Sequence, residues 1–270
     1  MPNPINTPRG WLSSLAVITG ALILYLGAAL AAGLLSGSPA IGSAAANAVL
    51  FAAGLLWRRW TRQAGDGLPG DSSSAARRPG FWPLVLTSLV LCWLVGQTAA
   101  VWLYGLLGSR NFDEYASAKA GTPVLLMLLV ALVLAPLGEE MLMRGVVYPR
   151  LRFHTRPLAA AALSSAVFSL MHLNLVQIAA TVPLGFLLAA VYEQTGRLTP
   201  GVLMHAAFNV VSMVVPPAFV SGFSSLTFVM LGGAVLVLLL IRLYTPLGGA
   251  GTAIMTSGAA GSGSGSLAGK

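Results

Sequence analysis

The feature that most constrains this chain is the length of its uncharged apolar runs. No residue from Gly121 to Gly138 carries a charge, and Trp11 to Leu35 is a second apolar stretch of 25 residues. A helix rising about 1.5 Å per residue needs roughly 20 such residues to cross the hydrocarbon core of a bilayer. The alternation of a barrel strand is absent, so the spans are helices. Only 8% of the 270 residues are charged and 56% are hydrophobic, with a mean hydropathy of +0.82. Soluble domains carry about a quarter charged residues. The expected fold class is all-α, a polytopic membrane helix bundle with about eight transmembrane helices.

The spans are expected at Trp11–Leu35, Ile41–Trp57, Phe81–Leu107, Thr122 to about Arg150, Leu158–Leu175, Val176–Tyr192, Pro200–Val215 and Phe223–Tyr244. The first is long for the apolar core of a signal peptide. The chain thus divides into two N-terminal helices (1–57), a Gly/Ser/Arg-rich linker (58–80), a third helix with a loop at Gly108–Ala120 (81–121), a central region (122–215), a last helix (216–247) and a Gly/Ala/Ser tail (248–270). The tail composition predicts disorder.

The charge of +8 does not mark a nucleic-acid partner, because the arginines sit between apolar runs, where they orient a membrane protein. With eight spans, thirteen of the 15 Lys and Arg residues fall on the side of the termini. Only Arg110 and Lys119 fall on the other. This bias predicts a multi-pass protein with both termini cytoplasmic. Ala/Gly/Arg usage points to a bacterial source and hence to an inner membrane. The lone cysteine, Cys92, excludes a disulfide or a cysteine-based metal site within one chain.

Few polar groups lie inside the spans. Glu139 and Glu140 follow the uncharged run directly, and an ionised carboxylate in hydrocarbon needs a partner or a proton. Glu140 and Arg144 are four apart on one helix side and can neutralise each other. Glu139 points about 100° away and is left for another task. The alternative is an idle charge cluster at a helix end. His172 lies in the fifth span, and His205 shares a face with Asn209 in the seventh. Counted from the turn near His154, Glu139 and His172 lie at similar depth, and all of these groups can surround one wet cavity in the cytoplasmic half of the bilayer. Taken singly, each histidine reads as well as a packing residue, and Met141, Met143 and Met171 read as gap-fillers.

Glu-Glu-x-x-x-Arg at 139–144, Phe-x-x-x-His at 168–172 and His-x-x-x-Asn at 205–209, in that order in successive spans, resemble the CPBP family. That family comprises the type II CAAX prenyl endopeptidases and the bacterial Abi proteins. The likeness covers about 122–215. It implies an intramembrane endopeptidase acting on a membrane-embedded or lipidated peptide or protein, with the lipid bilayer as its other partner. By the same resemblance Glu139 and His172 would activate the attacking water. Glu140, held by Arg144, would fix the helix, and His205 with Asn209 would stabilise the oxyanion. The resemblance favours no cofactor. Zn2+ held by Glu139, His172 and His205 is the alternative, since three ligands with an open position suit hydrolysis. The sequence also leaves open a non-catalytic immunity or scaffold protein and a proton-coupled transporter, although no internal repeat supports the latter.

Overall fold

The computed structural model describes residues 8–63 and 79–244, and the described residues form helices and turns without strands. The helices are α1 (Pro8–Ser36), α2 (Pro39–Gln63), α3 (Phe81–Leu107), α4 (Arg110–Ala120), α5 (Val124–His154), α6 (Pro157–Leu170), α7 (Leu175–Thr195), α8 (Leu198–Val214), α9 (Pro217–Ser221) and α10 (Leu226–Tyr244). Six of them, α1, α2, α3, α5, α7 and α10, are long and apolar enough to cross a membrane. The chain is a polytopic helical bundle. The expected fifth and seventh spans are the shorter helices α6 and α8, of 14 and 17 residues. At 1.5 Å per residue α6 covers only about 21 Å of a core roughly 30 Å thick. The tail at 248–270 and most of the expected linker lie outside the described residues. The linker begins later than expected, because α2 continues to Gln63.

The segment expected as a loop at Gly108–Ala120 is the helix α4. It has the marks of a helix that stands in water rather than lipid. Ser109 caps it by accepting from the amide of Phe112, Asp113 lies in its first turn and Lys119 in its last.

Contacts between helices define two faces of the bundle. On one face Trp11 stacks on His154 at 4.1 Å and Ser14 Oγ meets His154 Nε2 at 2.9 Å. Arg150 lies over Trp57, Arg152 pairs with Glu193 at 3.0 Å, and Gln194 donates to the carbonyl of Leu243. This arginine-rich face thus collects the start of α1 and the ends of α2, α5, α7 and α10. Helix α3 runs antiparallel to α7: Gly96 lies against Ala180, and Cys92 against the carbonyl of Pro183. Leu107 and α4 therefore belong to the opposite face, with the turns at 37–38, 171–174 and 215–225.

Helix α5 contains two π-helical segments, Val130–Leu134 and Met143–Val147, on either side of the glutamates. Each ends two residues before a proline that cannot donate to the ladder, Pro136 or Pro149. Widening the preceding turn accommodates the missing donor and the ring without breaking the helix. The core lies around the half of α5 toward the arginine-rich face. Leu142, Met143, Val147 and Tyr148 pack there with Leu184, Leu187 and Leu188 of α7 and with Phe168 of α6.

Candidate active site

Glu140 and Arg144 form the anchor. Arg144 Nη1 donates to Glu140 Oε1 at 2.8 Å, and both side chains are completely enclosed, at 1% and 0% exposure. Arg144 Nη2 donates to the carbonyl of Gly185 at 2.6 Å, which ties α5 to α7. Breaking such a pair leaves a buried charge without compensation. The second carboxylate oxygen, Glu140 Oε2, faces Gly201 of α8, where an added Cβ would sit 3.0 Å away. Gly201 thus provides the room the carboxylate occupies. On α2, Asn47 presses on Gly138, with atoms only 2.6 Å from where a Cβ would be. That close approach sets α2 directly behind the glutamates.

His205 of α8 bridges the two glutamates. Its Nδ1 lies 3.3 Å from Glu140 Oε1 and its Nε2 lies 3.7 Å from Glu139 Oε2. The first is a hydrogen bond and the second is too long for one. Glu139 therefore stands at the edge of the cluster. Asn209, one turn further along α8, donates to the carbonyl of Ala131 at 2.8 Å. That carbonyl lies in the first π segment, so Asn209 locks α8 to the irregular part of α5.

His172 is not inside a helix. The expected span ends at Leu170, and His172 lies in the turn between α6 and α7. Its Nδ1 approaches the carbonyl of Phe168 at 3.1 Å, which leaves Nε2 free to point elsewhere. Leu173 adopts a left-handed backbone with φ 57, and Asn174 caps α7 by accepting from the amide of Gln177. The turn's carbonyls are occupied by side chains: Asn174 donates to His172 and Asn111 of α4 donates to Leu173. Irregular backbone at membrane depth persists where it is buried in protein or lines a wet cavity.

The structure thus gathers Glu139, Glu140, Arg144 and His205 by direct contact and joins Asn209 through the backbone of α5. His172 joins them through a residue that carried no assigned role. The ring of Phe168 meets His172 edge-on at 5.3 Å and His205 edge-on at 5.7 Å, and Arg144 lies over it at 5.5 Å. Its signal in the sequence was its place four residues before His172 on the same helix side. Ser169, next along the chain, is buried with an unpartnered Oγ. Tyr115 of α4 also belongs to the surroundings, and no motif marked it. Partial loss of water raises its phenol above the ordinary value, Gln177 pulls it back, and the charge of Glu139 raises it further, with 44% of the residue still exposed.

Glu139, His172 and His205 are not gathered into a three-ligand metal cluster among the described residues. Both nitrogens of His205 already face carboxylates.

A multi-helix membrane protein with a buried Glu-Glu-Arg cluster at the centre of one helix, met by a histidine from another, is the class this geometry defines. Residues 121–211 match the family model described as Type II CAAX prenyl endopeptidase Rce1-like. The resemblance to the CPBP family, read from three motifs, therefore holds for the region that carries all of them. The chain is also 27% identical over 103 residues to YdiL of Bacillus subtilis (strain 168), whose designation as a membrane peptidase is itself provisional. That match spans 38% of this chain and 42% of YdiL. No solved structure gives a significant match.

Proposed function

We propose that the chain is an intramembrane endopeptidase that hydrolyses a peptide bond of a membrane-associated substrate. The observation that carries this reading is the asymmetry between the two glutamates. Glu140 is enclosed and neutralised by Arg144, whereas Glu139 has, among the described residues, only the long contact to His205 and is available to a guest. A carboxylate held in that way suits a general base.

In this reading a water sits between Glu139 and His172, which make no direct ion pair. Glu139 takes the water's proton as its oxygen attacks the carbonyl carbon, and His172 orients the water through Nε2. The tetrahedral oxyanion meets His205 Nε2–H when that ring carries its second proton, with Nδ1 still held on Glu140. Asn209 offers the second hydrogen of its amide, since the first is spent on Ala131. The proton on Glu139 then passes to the departing amine. Prenylated CAAX tails are one candidate substrate class by family likeness, and other membrane-anchored peptides are the second.

Membranes holding the wild-type chain are compared by mass spectrometry with membranes holding Glu139→Ala. Peptide products present only with wild type support the reading, and identical peptide profiles contradict it. Incubation with a chelator separates the routes, because a zinc enzyme loses activity on metal removal and regains it on zinc addition. The glutamate route predicts unchanged cleavage.

A further inference from the structure

The two halves of α5 differ in burial. From Val124 to Leu134 no residue is buried, whereas Pro136, Gly138 to Arg144 and Val146 to Tyr148 are, apart from the half-buried Gly145. The glutamates lie at this boundary, and Glu139 is fifteen residues from either end of α5. Toward the arginine-rich face the way is closed. Met143, Val147 and Tyr148 of α5 and Leu187, Leu188 and Val191 of α7 fill the space. Beyond them, Tyr148 Oη donates to Glu193 and Arg152 pairs with Glu193, which seals that end.

Toward the opposite face the backbone is irregular and α5 is less enclosed. Helix α6 stops short, the turn at 171–174 replaces regular backbone, and His172 is half-buried. Helix α4 lies across this side. Asn111 is bonded to the turn itself and Phe112 packs on Ala100, Val176 and Ala180.

We propose that the site admits its substrate from the α4 face, which the arginine distribution makes extracytoplasmic. The substrate class is then a membrane-anchored segment whose scissile bond lies in the outer half of the bilayer, rather than a lipidated tail presented in the cytoplasm. The basic residues divide accordingly. Arg150, Arg152, Arg156, Arg197 and Arg242 lie at or beside the closed face, whereas Arg110 and Lys119 of the α4 face are accompanied by Asp113 and Glu114. This placement differs from the cytoplasmic half expected by counting residues from the turn near His154. The fold packs that end shut.

The proposal rests on the peptidase reading for what enters, but its test does not need turnover. Cys92 is buried, so single cysteines can be introduced in a Cys92→Ala background. His172→Cys and Gln177→Cys report the cleft, and Thr155→Cys reports the arginine-rich face. A charged, membrane-impermeant maleimide is applied to intact cells and to inverted vesicles. The expected result is labelling of the two cleft cysteines in intact cells, with Thr155→Cys labelled only in inverted vesicles. Cleft cysteines labelled only in inverted vesicles, or in neither preparation while Thr155→Cys reacts, would overturn the proposal. Wild-type cleavage in detergent combined with labelling from the cytoplasm defeats the sidedness alone. Outside labelling without any cleavage defeats the peptidase reading alone.

Discussion

Two ion pairs in this molecule have the same spacing and nearly the same length. Arg144 meets Glu140 at 2.8 Å in α5, and Arg110 meets Glu114 at 2.9 Å in α4, both between residues four apart. The first pair is enclosed at 1% and 0% exposure, while the second stands in the open at 91% and 63%. Spacing alone decides that the charges can meet. Surroundings decide what the meeting is worth, since an exposed pair competes with water and salt and a buried one does not. A third pair, Arg152 with Glu193, lies between them at 20% and 16% exposure and also holds Tyr148.

The comparison predicts graded losses. Arg144→Ala strands the Glu140 charge in the core and removes the link to Gly185. It is expected to cost roughly 3–5 kcal/mol, read as lost accumulation and a lowered melting temperature in detergent. A variant that accumulates and melts like wild type would show that the pair is solvated and break the contrast. Glu193→Gln retains the shape and weakens two charge-assisted contacts, an expected loss of about 1–2 kcal/mol by the same melt. Glu114→Gln should change stability by no more than about 0.5 kcal/mol, with the difference vanishing at high salt. A loss as large as that of Arg144→Ala would mean that α4 is enclosed by something beyond this chain.

The pairing of Glu140 with Arg144 was legible in the sequence because a four-residue helical spacing survives almost any tertiary arrangement. The availability of Glu139 followed from the same geometry. The bundle was legible from apolar length, with six long helices and two short ones where eight spans were expected. The break between these spans was placed too late, at Leu175 rather than after Leu170, because Met171, Leu173 and Leu175 continue the apolar run through the turn. The stop depends on Leu173 taking a left-handed conformation and on Asn174 capping the next helix. The α4 helix was missed because it is short and polar and has no apolar stripe to announce it. Its signals were local ones, Ser109 before the start and Lys119 at the end. The π segments were hidden for a further reason. Pro136 and Pro149 suggest a kink or an end, and only the packed helix shows that a widened turn absorbs each of them.

The central claim is that Glu139 is the base and Glu140 its fixed neighbour. The most direct test is Glu139→Gln, purified in detergent and given a membrane peptide that the wild-type protein cleaves, with products followed by mass spectrometry. The substitution keeps the shape and the hydrogen-bonding reach but cannot take a proton. The account predicts a melting temperature close to wild type and turnover reduced at least ~100-fold. Full cleavage by Glu139→Gln would contradict it and leave the carboxylates as structural charges alone.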